Sequence, residues 1–176
     1  MREAQSAQLV IIYTRRAIAG AMAAIAPASD LIIQGALAVA MSKEIAALYE
    51  VKLRDIDADD LLKLVGGRLK GSVTLTLAIA GNAAKAFPGL GTLGGGALHA
   101  IAYGLLFQSF GGALRSTLAS QGRVDQRFLL DRLQRDLKDH RGIIQKASAL
   151  AAFAAQSGQL SGPVKLAKRS RSLDTD

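Results

Sequence analysis

Ala86–Leu114 reads AFPGLGTLGGGALHAIAYGLLFQSFGGAL and contains no Asp, Glu, Lys or Arg. Pro88-Gly89 makes a turn at its front, a glycine cluster follows, and a long apolar run closes it. Removing apolar surface from water is favourable by roughly 25 cal/mol per Å². A stretch of this kind is therefore buried, either in a helical core or in lipid. No catalytic constellation accompanies it.

The rest of the chain is built in the same idiom. Half of its 176 residues are hydrophobic, only 5% are aromatic, and mean hydropathy is +0.24. Ala and Gly are abundant, which points to closely packed helices, since a β-sandwich draws on Val, Ile, Thr and aromatic runs. The length suits one domain with a real core. The chain has no Cys, which excludes disulfides and thiolate metal sites and leaves the redox compartment unread.

Upstream of the central stretch, residues 5–26 read as a first helix with Leu9, Ile12, Tyr13 and Ile18 as its larger apolar members. Pro27 should end it, because proline lacks an amide hydrogen and disfavours helical geometry in the residue before it. Ser29 or Asp30 can cap a second helix running to about Tyr49, with Ile33, Leu37, Met41, Ile45 and Leu48 on one face. After a polar linker, Asp57 and Asp60 suggest a capping-box variant, and a third helix should run from Leu61 towards Phe87. Gly66, Gly67, Gly71 and Gly81 weaken it by up to about 1 kcal/mol each relative to Ala, and read better as close approaches of another helix.

The fourth helix should span Gly95 to Ser120, and a charged amphipathic helix should start near Arg123. Leu130, Leu133, Leu137 and Ile144 mark its apolar stripe. Opposite charges stand four apart at Arg127/Asp131, Asp131/Arg135, Arg132/Asp136 and Arg135/Asp139. Gly142 should bend or end this helix before an Ala-rich run to Gln156. The expectation is an all-α, compact, Ala/Gly-rich bundle of five or six helices: one helical domain over 1–156, with a basic disordered tail over 157–176.

The net charge of +8 comes from 22 basic and 14 acidic residues. Its surplus lies near the N-terminus and beyond Leu114, while residues 17–114 are balanced. Basic flanks around an apolar centre fit the anionic cytoplasmic face of a membrane. Nucleic-acid binders more often spread cations over a polar face, and the acids interleaved along 123–146 argue against nucleic acid as a partner. Lys165, Lys168, Arg169 and Arg171 form a basic tail that suits binding to anionic lipid or nucleic acid and plain solvation equally. No secretory signal pattern is evident, and a cytoplasmic start is the simpler reading.

Several motifs invite sharper readings. Gly89–Gly94 spells GxGxxG, but AAKAF precedes it instead of a strand and no acid follows at the required distance, so it reads as a turn between helices. Gly67/Gly71 and Gly91/Gly95 are GxxxG pairs, which permit tight crossings in lipid or in water. His99 has no metal-ligating neighbour in sequence and reads as a buried neutral histidine. Asp30 reads as an N-cap, with a buried pair to Lys85 as the sharper alternative. Asp57, Asp59 and Asp60 lack the glycine and distal glutamate of a calcium loop, and no Gly-x-Ser-x-Gly elbow occurs. Catalytic residues, a metal and a cofactor are accordingly not expected, and the chain does not read as an enzyme.

RAIAGAMAAIAPASDLIIQGALAVAMSKEIAALYEVKL, then ADDLLKLVGGRLKGS, then AFPGLGTLGGGALHAIAYGLLFQSFGGALRS, resembles the YcjF-type domain of unknown function 697. The resemblance lies in the order of features: small-residue helix, Pro, acid, apolar helix ending Ile-x-x-Leu-Tyr, polar linker, glycine-bearing helix, PGLG turn and last apolar helix. It covers about residues 13–120. It implies a non-enzymatic, membrane-associated helical module that works with an Era-like or dynamin-like GTPase, fused upstream or separate. It also implies a place on the cytoplasmic side of the bacterial inner membrane, or in the cytoplasm if the bundle is soluble. This sequence contains no GxxxxGK[ST]. In GGRLKGS (Gly66–Ser72) the lysine precedes the second glycine, and DHRG at Asp139–Gly142 sits within a charged helix, so any GTP would bind a partner or an upstream region.

Two placements of the apolar helices stay open: a two-span hairpin inserted in the membrane, or a compact bundle docked on its surface. In the first, Leu105, Leu106 and Phe107 are the anchor. A soluble interaction domain that homodimerises through its glycine faces is the alternative class.

Overall fold

In the computed structural model, residues 1–23, 29–53, 60, 63 and 95–160 are described. Ser6, Val10, Tyr13, Ala17 and Ala21 recur every third or fourth position, and with Thr14 and Ile18 they form the inward stripe of α1 (Arg2–Ala23). The second helix, α2 (Ser29–Leu48), turns Gln34, Ala38, Met41, Ser42, Ile45 and Ala46 inward. The charge-free stretch supplies α3 (Gly95–Gln121), followed by α4 (Gln126–Lys138) and α5 (His140–Leu160). The fold is an all-α bundle of about five helices, with no strand among the described residues.

α3 is the axis of this bundle and meets each of the other four helices, α1 most extensively. Its residues Ala97, Ala100, Ile101, Leu105, Phe107, Phe110, Ala113, Leu114 and Leu118 are buried, and one core runs from them into the other helices. Two hydroxyls within that core are satisfied by their own helix, Ser42 Oγ donating to the Ala38 carbonyl and Thr117 Oγ1 to that of Ala113, each at 2.8 Å, whereas Thr14 Oγ1 and Ser109 Oγ are buried without a hydrogen-bond partner among the described residues. Gln34 Nε2 donates across to the Ala17 carbonyl at 2.9 Å, tying α2 to α1 inside the core.

The ends follow capping chemistry. α3 stops at Gly122, whose φ of +62° is a left-handed conformation that suits glycine, and whose N–H donates to the Leu118 carbonyl. Asp125 caps α4 by accepting from the Phe128 N–H at 2.9 Å. Asp139 then closes α4 and caps α5, its Oδ1 accepting from the Gly142 N–H at 3.1 Å.

That aspartate corrects the expected register. A single amphipathic helix from Arg123 is in fact two, broken at Asp139 and not at Gly142, and the break resets the helical phase. The buried stripe is Leu129, Leu133 and Leu137 in α4, then Ile143, Ala147, Leu150, Ala151 and Ala154 in α5. Leu130 is half-buried and Ile144 is 53% exposed. None of the four i,i+4 charge pairs closes among the described residues. Asp136 instead reaches across to Lys146 of α5. α5 also runs past Gln156 to Leu160. The expected third helix over 61–87 and the tail over 161–176 lie outside the described residues, apart from Lys63, which is helical and 3.6 Å from Asp60.

Candidate functional site

The residues expected to anchor the chain in lipid sit on α3. Leu105 has no exposed surface, Phe107 is buried and Leu106 is half-buried. Among the described residues one helix, Gly96–Gln121, is long and apolar enough to cross a bilayer, and 67% of its apolar window is buried inside the bundle. The solvent around Leu105 and Phe107 in this fold is therefore protein.

Two glycines make that burial close. A Cβ on Gly104 would stand 3.0 Å from both Ile18 Cδ1 of α1 and Leu150 Cδ1 of α5. One on Gly111 would stand 2.7 Å from Val10 Cγ2 and 3.2 Å from Met41 Sδ of α2. The pair is seven residues apart, two turns along one face, so α1 lies in a seam cut into α3. Sequence reading passed over these two positions in favour of Gly67, Gly71, Gly91 and Gly95. Of those, Gly95 opens α3. Gly67, Gly71, Gly91, Pro88 and Gly89 lie outside the described residues, as do Lys85, the GxGxxG string over 89–94, and the basic residues Lys165, Lys168, Arg169 and Arg171.

His99 corrects another expectation. It is exposed, one turn before half-buried Tyr103, with the ring centroids 6.2 Å apart. The step of four residues puts both rings on the outward stripe of α3, away from the Ile101–Leu105 side that faces the core. Among the described residues no three His, Cys, Asp or Glu side chains converge as a metal would require.

The apolar surface that does reach solvent belongs to α2. Ile32 is 76% exposed and Ile33 42%, Ala36 is exposed beside them, and Gly35, Val39 and Ala40 are half-buried. No charged residue occurs from Leu31 to Ser42. Ile33 was expected on one buried face with Leu37, Met41, Ile45 and Leu48; Met41 and Ile45 are fully buried there, Leu37 and Leu48 are half-buried, and Ile33 is left exposed. The signal available in the sequence was that α2 is apolar nearly all round, which leaves hydrophobic residues over once one face is packed.

The opposite end of α2 is polar and tied down. Tyr13 Oη donates to Glu44 Oε1 at 2.7 Å, and burial, followed by Glu44, raises the phenol above its ordinary 10.0. Arg2 holds the Glu50 carboxylate at 2.7 Å and lies over the Tyr49 ring, while the Tyr49 and Ser6 hydroxyls are 3.3 Å apart. No family model, curated protein or solved structure matches the chain.

Proposed function

We propose that this chain is a non-enzymatic helical module that associates peripherally with a membrane and works with an Era-like or dynamin-like GTPase. The observation that carries membrane contact is the outer face of α2, where Ile32, Ile33 and Ala36 stand exposed in a run without charge. Isolated exposed apolar residues are ordinary, but adjacent ones on an uncharged helix face form a contact surface. In this reading α3 is the structural core and α2 the part that touches lipid. The GTPase partner rests on the YcjF-type resemblance. Nucleotide state in that partner would alter membrane contact, and membrane contact would alter nucleotide affinity, since such coupling is reciprocal.

Flotation of the purified chain with anionic phospholipid vesicles tests this. The native chain should float, and the Ile32→Ser/Ile33→Ser chain should stay at the bottom of the gradient while keeping its helical circular-dichroism spectrum. Equal flotation of the two would remove α2 from the role. A peripheral chain should also leave cell membranes on alkaline carbonate extraction.

The same face supports a second reading, homodimerisation of a soluble interaction domain. It predicts a monodisperse dimer without lipid or detergent, and a monomer for the Ile32→Ser/Ile33→Ser chain.

A further inference from the structure

Away from the apolar face of α2, the bundle holds a cavity of about 310 Å³. Arg115 and Gln108 of α3, Arg132 and Asp136 of α4, Lys146 of α5 and Glu3 of α1 line it. Its volume falls at the lower end of small-ligand sites, roughly 300–1,000 Å³. Its lining is unlike the apolar interior beside it: it gathers three cations and two acids from four helices.

The charges are not equally committed. Asp136 is engaged with Lys146, whose Nζ lies 2.6 and 2.7 Å from its two carboxylate oxygens, with both side chains about one-third exposed. That pair fixes α4 against α5 and cancels its own charge. Arg115 and Arg132 have no ion-pair partner among the described residues, and Glu3 is the sole acid of the cavity without a cation of its own. Gln108 adds a carboxamide whose oxygen is buried with no hydrogen-bond partner among the described residues. A divalent cation would need several convergent oxygens, and one uncommitted carboxylate does not supply them. Two uncommitted guanidiniums, each a planar fork of N–H donors, match the oxygens of a phosphate.

We infer that this cavity binds a small phosphate-bearing anion, with Arg115 and Arg132 as its two clamps. Two sources share that chemistry, a soluble phosphate ester and a phospholipid headgroup. The site shares no lining residue with the exposed α2 face, so its response to a soluble phosphate holds or fails independently of the membrane reading.

Calorimetric titration of the full chain with inorganic pyrophosphate at low ionic strength is the first arm, and flotation with phosphatidylglycerol vesicles the second. Arg115→Gln and Arg132→Gln should each weaken the responding probe about tenfold or more, the loss expected for one charge-assisted contact. The control is Lys138→Gln/Arg141→Gln, which removes the same total charge at exposed positions outside the cavity and should bind as the native chain does. Retained helical spectra verify the fold of every variant. A response to pyrophosphate identifies a soluble phosphate ester as the ligand class. A vesicle response lost in the Arg115→Gln/Arg132→Gln chain, without one to pyrophosphate, identifies the headgroup. Binding of both probes that is absent, insensitive to Arg115 and Arg132, or equally weakened in the control overturns the inference.

Discussion

A methyl group added at Gly111 would meet Val10 Cγ2 at 2.7 Å, inside the seam between α1 and α3. The backbone beneath is helical on both sides, so the clash must be relieved by shifting Val10 or parting the helices. Overpacking of this kind costs about 1–3 kcal/mol, against a gain of up to about 1 kcal/mol in helix propensity. Gly111→Ala should therefore lower stability in urea unfolding, whereas Gly35→Ala, whose Cβ meets nothing within 4 Å, should raise it by about 0.5–1 kcal/mol. Glu50 presents the opposite case. Its φ of +61° is left-handed, and the Val51 N–H donating to the Ala46 carbonyl and the Glu50 N–H to that of Ala47 complete a helix-ending motif that usually holds glycine. The Arg2 partner is half exposed and Glu50 itself largely so, so their ion pair is worth little. Glu50→Gly should leave stability unchanged or raise it by up to about 1 kcal/mol. The seam glycines were legible in principle as a seven-residue repeat within the uncharged part of α3. His99 was not, because an apolar helix does not announce which of its faces is left outside.

At the scale of the element, α3 was the most readable part of the chain: the uncharged run to Leu114 supplies most of it, and its observed limits, Gly95 and Gln121, differ by one residue in all from those expected. The α4–α5 region was the least. Its charge pairs and leucines continue helical periodicity through Asp139, and only the capping bonds reveal the break. Asp125→Ala and Asp139→Ala should each cost about 1 kcal/mol in thermal unfolding, since each carboxylate satisfies an N–H of a first helical turn. A side chain at Gly142 would collide with the Asp139 carboxylate, so this glycine serves the cap and not a bend. α1 and α2 carry a pH response of their own. Tyr13 is 2% exposed and its phenol donates to Glu44. With its folded pKa raised, the contribution of Tyr13 is complete below its unfolded value near 10.0 and is lost as pH rises through the folded value. Unfolding curves should show this alkaline loss in the native chain and a smaller one in Tyr13→Phe.

For the whole molecule, composition identified the all-α class but not the solvent of its apolar helices. Hydropathy scores a segment as a unit, whereas burial is decided face by face and by which neighbours arrive. The apolar helix α3 has four neighbours among the described helices and is mostly buried by them, while α2, less conspicuous in sequence, is left with Ile32 and Ile33 outside. The absence of cysteine makes this contrast directly measurable, because one introduced thiol is the only one in the chain. The decisive experiment compares Leu105→Cys and Ile32→Cys chains reacted with a membrane-impermeant maleimide in buffer without lipid or detergent, then with anionic vesicles present. The account predicts a soluble chain in which position 105 reacts only after unfolding, position 32 reacts rapidly, and vesicles protect position 32. Rapid modification at position 105 in the native chain, or a position 32 that vesicles leave untouched, would contradict it.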